Sequence, residues 1–299
     1  MAHAQPGIFA LGTRSHHHLE FDVLPDVAPT EVVAALRGLR EPSVTAGGDN
    51  IIVGFGADLW RRIAPAESPD ALVPFAGVQG DGRSMPATQH DVWIWVHGTG
   101  PDVLLDTARA VGRSLAPVAV LALEQPAFVY RDSRDLTGFV DGTENPPVFE
   151  APEVAIIPDD QIGAGGSYVI ASKWVHDLDA FHRLNVTDQE GVFGRTKSDS
   201  VELDDSVKPP NAHIARVVIE EDGEELELFR RSTPFGTVRE AGLYFLAFSA
   251  DPTRFDKMLA RMFGVSGDGI HDHLTDFSTP VSGAYYFAPS LEALATLLG

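Results

Sequence analysis

The chain has 299 residues, 44% of them hydrophobic, with 43 acidic side chains against 22 basic ones, no cysteine and a formal net charge of −21. That length holds one large or two medium domains, and the apolar content is that of a globular protein. The acidic excess excludes nucleic acid and anionic membrane as partners, and the missing cysteine excludes disulfides, iron–sulfur clusters and every thiolate nucleophile or metal ligand.

No stretch approaches the roughly 18 apolar residues of a spanning helix. The start, Met1–Pro6, lacks the basic residues and apolar run of a secretory leader. A cytoplasmic location is therefore expected. Apolar runs predict first-half strands near His17–Leu24, Asn50–Phe55, Val92–His97 and Pro117–Leu123. Between them, Thr30 is expected to cap a helix of about Glu31–Leu39, and Pro101 to open one near Asp102–Leu115. His16, His17 and His18 fall at the first strand, where the outer two face one way and His17 the other; a surface strand is expected.

The second half repeats the pattern. Strands are predicted at Ser167–Trp174, Ile214–Glu220, Glu225–Phe229, Gly242–Phe248 and Gly283–Phe287, with a hairpin turn at Glu221–Glu224. Asp251 is expected to cap a helix with Pro252 at its first position, and Phe255, Met258, Leu259, Met262 and Phe263 recur at helical spacing. The fold class is α+β: two ferredoxin-like βαββαβ domains with antiparallel sheets. The division is 1–137, a linker with a glycine-rich loop at 138–153, and 154–299.

Three motifs carry chemistry. The run Gly138-Phe139-Val140-Asp141-Gly142-Thr143-Glu144-Asn145-Pro146 sets one carboxylate between two glycines, on a loop with a rigid exit. Asn211-Ala212-His213-Ile214-Ala215-Arg216 follows, and then Leu228-Phe229-Arg230-Arg231-Ser232-Thr233-Pro234-Phe235-Gly236. Taken singly, the first is a weak signal, since Asp-Gly pairs are ordinary turn formers, and His213 reads first as a structural histidine at a strand start.

Together, in this order and in these contexts, they resemble the dye-decolorising peroxidases, specifically their B-type branch. These are haem enzymes unrelated in fold to the plant-type peroxidases. The resemblance runs from Gly7–Phe21 to Tyr285–Ser290. It implies one haem b per chain, held mainly in the second domain, with His213 as the proximal iron ligand. Asp272 would accept the other imidazole N–H, with Asp276 as the alternative. Asp141 and Arg230 would form the distal face, Arg230 lowering the pKa of Asp141. Ser232 would hold a distal water, Arg195 would pair with a propionate, and the backbone of Glu144 and Asn145 would skirt the haem edge. Arg231, next along the strand, would face away.

The implied partners are hydrogen peroxide and an organic or metal-ion reductant, oxidised through a ferryl intermediate by a homo-oligomer. The end at Leu297-Leu298-Gly299 carries none of the tail by which some relatives are packaged in nanocompartments. Two rival readings stand beside this one. The first is a haem-binding or haem-handling protein with incidental peroxidase activity. The second is the chlorite-decomposing haem family, which lacks the Gly-x-x-Asp-Gly loop.

Overall fold

The computed structural model describes residues 2–37, 39 and 49–299. In the first half come strand β1 (Ser15–Val23), helix α1 (Pro29–Leu36), β2 (Asn50–Phe55), β3 (Val92–Gly98), α2 (Pro101–Leu115) and β4 (Ala119–Phe128). Their order across the sheet is β2-β3-β1-β4, every neighbour antiparallel. The second half has β5 (Ser167–His176), α3 (Val186–Phe193), α4 (His213–Val217), β6 (Phe229–Arg230), β7 (Thr233–Gly236), β8 (Ala241–Ser249), α5 (Thr253–Met262) and β9 (Ala284–Ala288). Its order is β6-β8-β5-β9, with β7 also on β8. Both halves thus show the ferredoxin-like arrangement.

The two sheets join where Phe287 of β9 pairs with Phe55 of β2, giving one 10-stranded sheet among the described residues. That sheet curls until β7 lies against β4. Two cores follow. The outer face is covered by helices: α2 contributes Leu104, Ala108, Val111 and Leu115, and α5 contributes Phe255, Met258, Leu259 and Met262. Inside the curl lie Trp93, Trp95, Tyr244, Phe248 and Tyr286. Burying each such side chain contributes roughly 1.5–3 kcal/mol, which is why β3, buried on both faces, reads as a continuous apolar run. Among the described residues no helix is long and apolar enough to cross a membrane.

Several local expectations need correction. Helix α1 begins at Pro29 behind Ala28, so Thr30 is inside it rather than its cap. Asp251 accepts from the Thr253 N–H at 2.9 Å, but Pro252 stands just before the helix, not at its first position. The predicted hairpin turn is present, with Asp222 (φ 54°) and Gly223 (φ 85°) between paired Glu220–Glu221 and Glu224–Glu225. Ile214–Glu220 is not a strand: His213–Val217 is a helical turn. Ile214, Val217 and Val218 lie at i, i+3 and i+4, so one face meets its neighbours despite the β-branched composition. The histidine run is not a surface strand either. His16, His17 and His18 are 4%, 5% and 0% exposed. Second-half residues cover His16 and His18, with Arg231 beside the first and Thr233 and Tyr244 against the second. His17, on the other face, meets Glu124 of β4.

Candidate active site

Alternation along β8 opens the site. Tyr244, Leu246 and Phe248 point into the curl, so Leu243 and Phe245 point to the helical face. These two remain only half-buried because they line a cavity. One lobe is apolar, lined by Trp174, Phe245, Met258, Leu259 and Met262; the other is polar, with Asp135, Glu144 and Arg195. The lobes share Asp141, His176, His213 and Arg230, and hold 690 and 730 Å³ of empty space, mouths included.

His213 opens α4. Its Nδ1 lies 2.6 Å from Oδ2 of Asp272, which is fully buried. The other Asp272 oxygen accepts the Leu274 N–H at 2.9 Å, so a backbone turn fixes the carboxylate and the carboxylate fixes the imidazole. A carboxylate this close puts the ring proton on Nδ1 and leaves the Nε2 lone pair able to coordinate a metal. Among the described residues nothing hydrogen-bonds that Nε2. Asp276 is engaged elsewhere, by Arg83 and by His271.

Asp141 stands on a loop that glycines make possible: Gly138 has φ 92° and Gly142 φ 77°, left-handed conformations that other residues rarely adopt. At Gly142 a side chain would also crowd the Asn145 amide at 3.3 Å. That amide has a task the sequence did not disclose. Asn145 Oδ1 accepts the Arg230 N–H at 2.8 Å and Nδ2 donates to the Arg230 carbonyl at 2.9 Å. Asn145 therefore acts as a strand partner for the edge of β6, locking the loop that carries Asp141 to the strand that carries Arg230. Asn145 itself lines an adjoining recess with Asp141, Gly142 and Arg230, while Glu144 lines the polar lobe.

The electrostatics also depart from expectation. Burial pushes Asp141 up to about 6, although Arg230 pulls it down; the nearby Asp135 carboxylate adds to the rise. Removal from water outweighs the cation. Burial lowers the pKa of Arg230 itself, against the attraction of Asp141.

Arg195 lines the polar lobe, donating to the Ser200 carbonyl at 2.6 Å and pairing with Glu144. Arg195 Nε, Ser200 Oγ and Arg230 Nε are buried without a hydrogen-bond partner among the described residues, and all three belong to residues that line this cavity. Buried polar atoms are nearly always bonded, so the wall is built for a polar guest. Ser232 is not on that wall. Its Oγ accepts the Leu246 N–H at 3.3 Å, and it lines a shallower recess beyond Asp141 and Arg230. Arg231 turns away as expected. It donates to the carbonyls of Ile8 at 2.6 Å and Ala10 at 2.9 Å, with its guanidinium over Trp95.

The family model for the C-terminal part of Dyp-type peroxidases matches residues 132–293, and that for the N-terminal part matches 46–128. The chain belongs to the Dyp-type peroxidase family. It is 39% identical over 272 residues to a dye-decolorizing peroxidase of Rhodococcus erythropolis, covering 88% of this chain and 80% of that protein. A dye-decolorizing peroxidase of Mycobacterium tuberculosis is 38% identical over 261 residues, covering 86% of this chain and 77% of that protein. Among solved structures, a Dyp-type peroxidase of Shewanella oneidensis superimposes with a TM-score of 0.93 at 34% identity, covering 99% of each chain. A variant of DypB from Rhodococcus jostii, in complex with haem, gives a TM-score of 0.90 at 34% identity over 95% of this chain and 96% of that one.

Against this family frame, the sequence reading missed a second pair at the cavity. His176 Nε2 lies 3.2 Å from Asp135 Oδ1, and its Nδ1 lies 2.8 Å from Ser278 Oγ. Burial opposes ionisation of Asp135, but bonds from His176 and from the Thr137 hydroxyl and N–H hold its pKa below the ordinary range. The available signal was Asp135-Leu136-Thr137-Gly138, an Asx turn leading into the loop. His176 carries no such signal.

Proposed function

We propose that this chain is a haem peroxidase that reduces hydrogen peroxide and oxidises dyes, phenolics or similar organic or metal-ion one-electron donors. The reading is carried by one observation: a single cavity gathers the His213–Asp272 pair and the Asp141–Arg230 pair. The residues fit haem b. His213 Nε2 would hold the iron, made a stronger donor by Asp272 on the far nitrogen. Leu243, Phe245, Met258 and Leu274 supply apolar cover, and Arg195, with its unpartnered Nε, would meet a propionate. When bound, the haem supplies the electron transfer that these side chains cannot.

The chain's own residues manage protons and charge. The Asp141 carboxylate takes a proton from hydrogen peroxide and returns it to the oxygen that leaves as water. Arg230 stabilises the negative charge that develops as the O–O bond breaks. Asn145 keeps the two in register through the Arg230 peptide. A cytoplasmic homo-oligomer belongs to the same proposal; the exposed Val148 and Phe149 support self-association.

Haem titration of the purified protein tests the reading. The wild type should develop a Soret band at one equivalent and oxidise a dye only when peroxide is present; His213→Ala should lose both. A wild-type spectrum and turnover in His213→Ala would sink the assignment.

A further inference from the structure

Across the sheet from the cavity, the inside of the curl holds a second set of oxidisable side chains. Glu20 of β1 is 1% exposed, and Tyr244 of β8 and Tyr286 of β9 are 0% exposed. The Tyr244 hydroxyl donates to Glu20 Oε1 at 2.8 Å, and the Tyr286 hydroxyl to Oε2 at 2.6 Å. Each oxygen of one sealed carboxylate therefore holds one phenol. Burial raises the proton affinity of Glu20, against those two hydrogen bonds, which makes it a stronger base. Packing alone does not call for this arrangement, since apolar side chains would fill the space without desolvating a carboxylate.

The surrounding rings favour the tyrosines as the place where an oxidising equivalent settles. Trp93 lies 6.1 Å from Tyr286 and 6.3 Å from Trp95, ring centre to ring centre. Trp95 lies under the Arg231 guanidinium at 5.0 Å, and that cation disfavours further positive charge on the ring. The Trp93 indole N–H is aimed at the Tyr244 hydroxyl, a far weaker proton acceptor than a carboxylate, so its proton has no comparable base to go to. Tyr244 is flanked along β8 by Leu243 and Phe245, both on the cavity wall. One strand separates the cluster from the cavity.

We infer that Tyr244, Glu20 and Tyr286 form an internal redox site that takes one oxidising equivalent from peroxide-oxidised haem when no external donor arrives. This rests on the haem-peroxidase reading above. In the step, the phenolic O–H of one tyrosine breaks and its proton forms an O–H on Glu20. Its electron passes to the oxidised haem. A neutral tyrosyl radical and a neutral carboxylic acid remain, so the step leaves no new charge in the core. The other tyrosine continues to donate to the same carboxyl group. Sealed from solvent, the site stores the equivalent rather than delivering it to large substrates.

The test mixes haem-loaded, full-length protein with one equivalent of hydrogen peroxide and no donor. Samples are frozen for electron paramagnetic resonance while peroxide loss is followed in parallel. The wild type should give a radical signal that narrows with ring-deuterated tyrosine. The signal should persist in part in Tyr244→Phe and in Tyr286→Phe, and fall at least tenfold in the double variant and in Glu20→Gln. Infrared difference spectra of the wild type, which need no variant to fold, should gain a protonated-carboxyl band that shifts with ¹³C-labelled glutamate. If peroxide is consumed but the wild type shows neither radical nor carboxyl band, the inference is overturned and the peroxidase reading stands. A signal undiminished in the double variant overturns it equally. If peroxide is not consumed, both fall.

Discussion

Asparagine at position 141 keeps the shape of a protonated aspartate and removes its ionisation. The aspartate pKa rises from 3.8 to about 6 in the folded protein, chiefly through burial. One pH unit of pKa change is worth about 1.4 kcal/mol, so the ionised side chain costs the fold about 3 kcal/mol, or about 2 after allowance for residual solvent at the cavity wall. The sign follows from which state releases its proton first. The unfolded chain does so near pH 4 and the folded chain near 6, so the folded state binds more protons between those values. Stability from this residue falls as pH rises through that window and is constant above it. Haem-free Asp141→Asn should therefore be about 2–3 kcal/mol more stable than haem-free wild type at pH 7.5, the two converging near pH 4. Urea unfolding of both proteins between pH 4 and 8 measures this. A variant less stable than wild type at pH 7.5 would mean that the attraction of Arg230 outweighs burial. On the proposed mechanism the same substitution removes the proton carrier, and the reaction of the haem-loaded enzyme with peroxide should slow by about 100- to 10,000-fold.

Asp272→Asn should weaken haem binding by about 10- to 100-fold in a haem titration, while Asp276→Asn leaves it unchanged and loosens only the contacts to Arg83 and His271. Asn145→Ala releases the Arg230 peptide on both sides and should slow the peroxide reaction by about 10- to 100-fold at unaltered haem affinity, read by stopped-flow. Arg231→Leu loses two carbonyl hydrogen bonds and its stack on Trp95, which should lower stability by about 2–4 kcal/mol in denaturant melts. The folded Arg231→Leu enzyme should react with peroxide at the wild-type rate, because that guanidinium faces the curl and not the cavity.

What was legible in the sequence follows from how local each cause is. Strand β3 is buried on both faces, and α5 carries Phe255, Met258, Leu259 and Met262 on one side, so each announces itself within its own residues. Helix α4 does not. Five residues are too few for a 3.6-residue period to outweigh Ile214, Val217, Val218 and Ile219, all β-branched. Its helical state is imposed by the packing of Ile214 and Val217 and by His213 reaching Asp272. The histidines of β1 were misjudged for a related reason. Imidazoles read as surface residues until β8 sets Tyr244 on His18, ring centres 3.8 Å apart, and burial lowers the pKa of His16 to about 3.

The site divides along the same line. The family resemblance named His213, Asp272, Asp141 and Arg230, which the structure brings together, and the side-chain period of two told Arg230 from its neighbour Arg231. Motif order could not say how the members act on one another. Arg230 lowers the pKa of Asp141 and burial raises it, and both signs could be stated from residue types alone. Which of them wins depends on how much water the cavity wall excludes. That quantity is created only when Leu243 and Phe245 of β8 face the helices α4 and α5 across the cavity. The same dependence explains Asn145. An asparagine after a glycine turn looks like loop chemistry, yet its amide is consumed by a strand 85 residues away. The loop fixes the position of Asp141, the strand fixes that of Arg230, and only the amide between them makes the pair a unit. A substitution at Asn145 should therefore be felt in the chemistry although the residue stands outside the cavity that His213, Asp141 and Arg230 line.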